Sequence, residues 1–447
     1  MTVNAARVPR PPAAAPTAPL SERQLTALWR GRRFPAGALV TRQGVPVTVI
    51  FQGRPGRGPG PDFRDALVAG PSGVPVRGDV ELHVRSSSFR AHGHERDPAY
   101  ARVVLHVVFH DDTGADTALR GGRTAPVVAL AGWVARRAGE LERWLERPLL
   151  CREPCHDAAM RLGADGVARA LEGEGGRRFD ARVTRTRGLI GAAGIEQALW
   201  EGLLEALGYG GNQPPMLALA RLLPWGALTA RLPQGPTRRP AAEALLLGSA
   251  GLLPSQRGHR GPVEPYVETL ERSFAKTQLP TLPAGSWKLW GVRPENAPAR
   301  RVAAAAALGA RTAAPSHLLG TVGDRIDDAL RPLLTSAEGY WLSHHDLCAG
   351  PARLPPALVG RSRALEILLN VVLPAACASG DQALAARARA LHTRLPRPAS
   401  YGVTRFLENA LASEGVRVPL NARRAQGLLA LHRDWCTQGG CGRCPLS

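Results

Sequence analysis

The run Val103–Phe109, VVLHVVF, narrows the fold more than any other stretch. Its apolar side chains follow one another with only His106 between them. A half-exposed strand alternates apolar and polar residues, so an unbroken apolar strand must be covered on both faces. Partners for such a strand lie on either side. PVTVIFQG at 46–53 and DFRDALVAG at 62–70 read as two earlier strands. After the turn PSGVPVRG, DVELHVRS at 79–86 reads as a third, and APVVALAG at 125–132 as a later one. In the third strand a period of two puts Asp79, Glu81 and His83 on one face and Val80, Leu82 and Val84 on the other. HGHERDPAY at 92–100 is polar and reads as a loop with one helical turn. Upstream, SERQLTALWRGRR offers Ser21 as an N-cap and Leu25, Leu28 and Trp29 at helical spacing.

From Trp133 the period changes to that of helices, as in VARRAGELERWLER, IEQALWEGLLEALGY and ALEILLNVVLPAACA. No fixed repeat period emerges. The expected fold is α+β. A mixed-sheet domain spans 21–145, and a mostly α-helical domain spans 150–447 and is closed by a C-terminal cysteine cluster. Residues 1–20, rich in Pro and Ala, read as a disordered tail without an apolar secretory core. No apolar run has the length of a membrane span, so the expectation is a cytoplasmic protein with no membrane partner.

The formal net charge is +20. A field of that sign draws polyanions, nucleic acid first. Lys276 and Lys288 are the only lysines, so genome composition explains the preference for Arg over Lys. It explains the shortage of Asp and Glu less well.

Three groups of residues could carry chemistry. The first is Asp62 at the head of one strand with Glu81 and His83 on the next. Carboxylates so placed hold Mg²⁺ or Mn²⁺, which polarises a phosphodiester and activates water. The second is His92, His94, Asp97, Tyr100 and His106. Five of the chain's twelve histidines fall between His83 and His110. His83, His92 and His94 could bind zinc in a small-molecule hydrolase, or the loop pair could donate to phosphate or relay protons. His106, inside an apolar strand, reads as a hydrogen-bonded core residue. A non-catalytic scaffold with structural acids is the third possibility. The third group closes the chain. Cys436, Cys441 and Cys444 have the spacing C-x4-C-x2-C, and thiolates so close select zinc or an iron–sulfur cluster. Seven cysteines, an odd number, argue against a disulfide framework. Cys155 is the preferred fourth ligand, with Cys151, Cys348 and His432 as alternatives.

Pro61–Asp62 and Glu81-Leu82-His83 resemble the PD-(D/E)XK nuclease superfamily, in which an Asp opens one strand and Asp/Glu-x-Lys lies on the next. Here His83 stands where that pattern has Lys. The resemblance implies a metal-dependent nuclease, or a nuclease-derived nucleic-acid-binding protein, with Asp62 and Glu81 on the metal and His83, His92 and His94 beside the substrate. Across almost its whole length the chain also resembles a bacterial domain-of-unknown-function family. The matching pieces are GPDFRDA, GDVELHV, HGHERDPAY, VVLHVV, Pro154–Cys155, EALLLGSAGLL, Tyr340–Trp341, NVVLP and WC-x4-C-x2-C. That resemblance implies only that these pieces belong to one protein.

Overall fold

The structure is a computed structural model. It describes residues 20–30, 34, 39–56, 60–136, 155, 158–209, 211–283, 285–412, 417–438 and 444–446. Of the expected tail, only Leu20 falls among these, and it is buried. The chain forms two compact units. The first comprises 1–170, 402–418 and 428–447, and the second 171–401 and 419–427.

The first unit opens with α1 (Glu22–Arg30). Its start is a reciprocal cap. The Ser21 N–H donates to Gln24 Oε1 at 2.9 Å, and the Gln24 N–H donates to Ser21 Oγ at 3.3 Å. Leu25, Leu28 and Trp29 are its buried face, as their spacing predicts. A seven-stranded sheet follows among the described residues, in the order β1-β2-β4-β5-β6-β9, with β3 also pairing with β4. Its strands are β1 (Leu39–Val40), β2 (Pro46–Phe51), β3 (Arg54–Pro55), β4 (Phe63–Ala69), β5 (Pro75–Arg85), β6 (Val103–His110) and β9 (Val127–Ala129). The short pair β7 (Thr117–Ala118) and β8 (Thr124–Ala125) forms a separate ribbon. β2, β4 and β5 run antiparallel, whereas β6 lies parallel to β5 and β9 parallel to β6.

The parallel step between β5 and β6 requires a crossover. The link 86–102 supplies it through α2 (Ser88–Ala91) and a 3₁₀ turn at Pro98–Tyr100. Both faces of β6 are therefore covered, as its apolar run demands. Leu105, Val107 and Phe109 join Leu25, Leu28, Trp29, Phe63, Val80 and Leu82 in one core. On the opposite side Val103 joins Phe89, Tyr100, Leu119 and Ala125 in a smaller one.

Two strand boundaries differ from expectation. β5 begins at Pro75 rather than Asp79, because the β4–β5 hairpin pairs Ala69 with Pro75 and leaves only 70–74 for the turn. The last strand shrinks from 125–132 to Val127–Ala129, because α3 (Ala131–Ala135) takes up the following residues.

The second unit is helical. Its core packs Trp200, Leu228, Leu246 and Trp341 around the helix Pro298–Arg311, most of which is buried. Two of that helix's arginines brace the core. Arg300 donates to the carbonyls of Trp341, His344 and Pro355, and Arg301 to that of Leu358. No helix among the described residues is long and apolar enough to cross a membrane.

Candidate metal centre

The alternation expected along β5 is realised. Val80 and Leu82 enter the core beneath α1, while Asp79, Glu81 and His83 face the crossover link. All three are buried, with Glu81 at 5% and His83 at 2% exposure. Buried polar groups need partners, and those of this face come from three places.

Asp62, just before β4, and Glu81 clasp each other's strand. The Asp62 N–H donates to Glu81 Oε2 at 2.9 Å, and the Leu82 N–H donates to Asp62 Oδ2 at 3.0 Å. Burial, then the Asp62 charge, pushes the Glu81 carboxyl up to about 8. Burial also raises Asp62.

The crossover link supplies the second set. Gly93 ends α2 with a φ of 74°, a left-handed conformation that glycine tolerates best. The Gly93 N–H donates to Arg90 O at 2.9 Å and the His94 N–H to Phe89 O at 3.1 Å. This is a Schellman cap, with His92 as the C-cap residue, Gly93 as the left-handed residue and His94 next after it. The Phe89 and His94 rings, 5.4 Å apart, are its apolar contact. The H-G-H sequence thus turns two imidazoles back over β5. Asp97 caps the next turn by accepting from the Ala99 N–H at 2.8 Å, and that turn stacks Tyr100 on His94 at 3.9 Å between ring centres.

The third set lies behind His83. His106, fully buried on β6, approaches His83 Nδ1 with its Nε2 at 3.0 Å. Its Nδ1 lies 2.7 Å from Thr117 Oγ1 on β7. His106 is therefore the hydrogen-bonded core histidine its setting suggests, but it is bonded to the site. Burial first, then neighbouring imidazoles, pushes His83 down to about 3. Burial takes His106 down to about 4 and also lowers His94. These three rings are neutral at neutral pH, the form in which imidazole binds metal.

One ligand nitrogen from each of His83, His92 and His94 lies within 4.8 Å of the other two. His83 Nε2 and His92 Nδ1 are 3.2 Å apart. Two nitrogens bound tetrahedrally to one zinc would stand about 3.3 Å apart. Glu81 Oε1 borders the group at 3.8 Å from His83 Nε2 and 3.6 Å from His94 Nε2. The residues fit a transition metal, with His83 bound through Nε2 and its Nδ1–H donated to His106. His106 would in turn donate Nδ1–H to Thr117. Metal-binding histidines are commonly oriented by such outer bonds.

Of the residues singled out in the sequence, Glu81, His83, His92 and His94 come together here. Asp62 stands beside Glu81, with one carboxylate oxygen engaged by the Leu82 backbone. Asp65 is drawn away from this group. At a φ of 57° on a bulge of β4, it accepts from Arg54 and Arg102, each at 2.9 Å. Burial raises its pKa, but Arg102, Arg54 and Arg77 outweigh that and leave it low. Thr117 and Phe89 were not recognised in the sequence. Phe89 had a signal in its apolar side chain four residues before Gly93, at the contact position of the cap.

The cysteines divide differently. Cys155, Cys436 and Cys444 belong to the first unit, and Cys348 to the second. Cys151 and Cys441 lie outside the described residues. Arg161 Nη2 donates to Leu446 O at 2.8 Å, which ties the stretch after Cys155 to the stretch after Cys444. His432 packs against Phe406.

A family model described as "Protein of unknown function (DUF2851)" matches residues 22–395. The chain belongs to this family. The DUF2851 match covers α1, the whole sheet and every residue of the histidine centre. No curated protein and no solved structure matches the chain.

Proposed function

We propose that this protein is a metal-dependent hydrolase that cleaves phosphodiester bonds in nucleic acid. The observation behind this reading is the convergence of His83, His92 and His94 with Glu81 at its edge. A metal held there would act as a Lewis acid and lower the pKa of bound water. The chain's own residues have separate roles. His106 and Thr117 fix the His83 tautomer. Tyr100 holds the plane of His94. Glu81, protonated at neutral pH until a cation arrives, would then become either a fourth ligand or the base that takes a proton from water. The formal charge of +20 and the resemblance of Asp62, Glu81 and His83 to the PD-(D/E)XK pattern favour a polyanionic substrate.

A second reading has support from the Asp62–Glu81 clasp. Part of the rise in Glu81 comes from the neighbouring Asp62 charge, and Mg²⁺ or Mn²⁺ on the two carboxylates would relieve it. One experiment separates these readings. The purified protein is stripped with EDTA, reloaded singly with Zn²⁺, Mn²⁺ or Mg²⁺, and incubated with single- and double-stranded DNA and RNA. Cleavage that needs His92 and returns with zinc or manganese supports the imidazole site. Cleavage with Mg²⁺ that survives His92→Ala supports the carboxylate pair. No cleavage with any metal sinks the nuclease proposal, and a small ester or amide substrate would then be sought for the zinc centre.

We further propose that Cys155, Cys436, Cys441 and Cys444 hold a structural zinc ion or [4Fe–4S] cluster. The Arg161–Leu446 bond and the grouping of Cys155, Cys436 and Cys444 in one unit support this. A brown protein that bleaches on oxidation would indicate iron, and a colourless one with stoichiometric zinc would indicate zinc. Neither metal bound at these cysteines would refute the proposal.

A further inference from the structure

The second unit contains a polar, partly open cavity of about 140 Å³, and Asn370, the first residue of the NVVLP piece, stands in its wall. Arg182, Arg363, Glu366 and Asn370 line it. The other charges around it are paired. Glu205 takes both bonds of Arg185 at 3.1 and 3.3 Å, and Glu201 takes Arg221 at 3.0 Å. Arg182 and Arg363 have no such partner. Neither makes an ion pair among the described residues, and the Nε of each is buried without a hydrogen bond. Arg363 donates to Ala206 O at 2.9 Å and lies over the Tyr209 ring at 3.7 Å, so its fork is held in place. Burial lowers Arg182 and takes Arg363 down to about 10. Glu366 acts on both, and Glu205 on Arg182, but neither carboxylate makes an ion pair with them, and leaving half-buried guanidinium groups so weakly neutralised is costly.

A second, independent feature lies in the same wall. The helix Arg361–Ile367 passes into a π-helical turn at Leu368–Val372, which contributes Asn370 and Val371 to the cavity. Such turns give up regular α-helical bonding and are frequent at functional sites. Glu366, one turn earlier, is held only by neutral donors: Tyr401 Oη at 2.7 Å and Asn370 Nδ2 at 2.9 Å. Of the carboxylates lining the cavity, it is the one with no ion pair among the described residues, and it acts on Arg182 and Arg363 only through the field of its charge.

We propose that this cavity binds inorganic phosphate. Two guanidinium forks suit a tetrahedral oxyanion. Beside them, a carboxylate without an ion pair suits an oxyanion that still carries a proton, because its P–O–H can donate to Glu366. Sulfate has the same shape and no such proton at neutral pH, so Glu366 selects against it. The cavity is too small for a whole nucleotide, and this sets it apart from the nucleic acid proposed for the first unit.

The test uses the full chain in phosphate-free buffer, by calorimetry and thermal unfolding. Phosphate should bind saturably and raise Tm, with sulfate weaker by about tenfold or more. Arg182→Met should raise Tm without phosphate, because it removes a half-buried cation that has no ion pair. It should also weaken phosphate binding by about tenfold or more. Glu366→Gln should erase the preference over sulfate. If Arg182→Met does not fold, Arg182→Lys, which keeps the charge and loses the fork, is judged by the same loss of affinity. Three results overturn the proposal: no saturable binding by the parent protein, unchanged affinity in a folded Arg182 variant, or sulfate binding as well as phosphate.

Discussion

Glu81 is the residue on which the proposed chemistry turns. Glu81→Gln keeps its shape and removes the charge a cation needs. We expect this variant to fold and to lose metal-dependent cleavage, checked by circular dichroism and a nuclease assay. Cleavage at the parental rate by the folded variant would remove Glu81 from the mechanism. The same residue sets a pH dependence. Its folded value is about 8 against an ordinary 4.5. Between those limits the folded state binds the extra proton, so Glu81's contribution is full below about 4.5 and lost as pH rises through 8. In EDTA the Tm of the parent relative to Glu81→Gln should therefore fall between pH 5 and 9 (roughly the span set by those two values). His83 and His106 have the opposite sign. Their folded values of about 3 and 4 lie below the usual 6.5, so their effect is stability lost as pH falls below 6.5. A parent–variant difference that does not change with pH would mean that Glu81 is ionised in the folded protein.

At the scale of the element, the cap at Gly93 decides where two of the three imidazoles point. Gly93→Ala forces a side chain into a left-handed conformation, at a cost of about 1–2 kcal/mol. We expect a lower Tm and a larger loss of zinc affinity, since His92 and His94 flank the strained residue. Equal zinc affinity in parent and variant would show that the cap does not position them. Much of this element was legible. The H-G-H sequence, the polar link and the apolar strand after it follow from composition and period, and so does the burial of Val80 and Leu82. The role of Thr117 was not legible. It sits eleven residues past His106 on a two-residue strand, too short to show any period. Nor does periodicity tell that the carboxylate of Asp62 turns to the Leu82 N–H, because that bond depends on the register between two strands.

For the whole molecule, the net charge predicts how it meets a polyanion. Binding to nucleic acid should weaken steeply between low and physiological salt as counterions are released. Affinity that ignores salt in a filter-binding assay would make the +20 charge a matter of composition alone. Some of that charge is already committed inside the fold. Arg300 and Arg301 are spent on backbone carbonyls in the helical core, and a linear count of arginines cannot separate them from surface ones.

The make-up of the first unit also fixes an order of events during synthesis. Its sheet is translated first, but it includes residues 428–447, which follow nearly the whole second unit. A nascent chain can close the helical core while the first unit still lacks its final segment. Until that segment emerges, the first unit stays incomplete on the ribosome, which is when a half-made chain is most prone to aggregate. A premature stop after residue 427 would therefore damage the earliest-made part of the protein more than the part just before the stop. Ribosome-arrested chains of increasing length, probed by limited proteolysis, should become resistant over 171–401 before they do over 20–136.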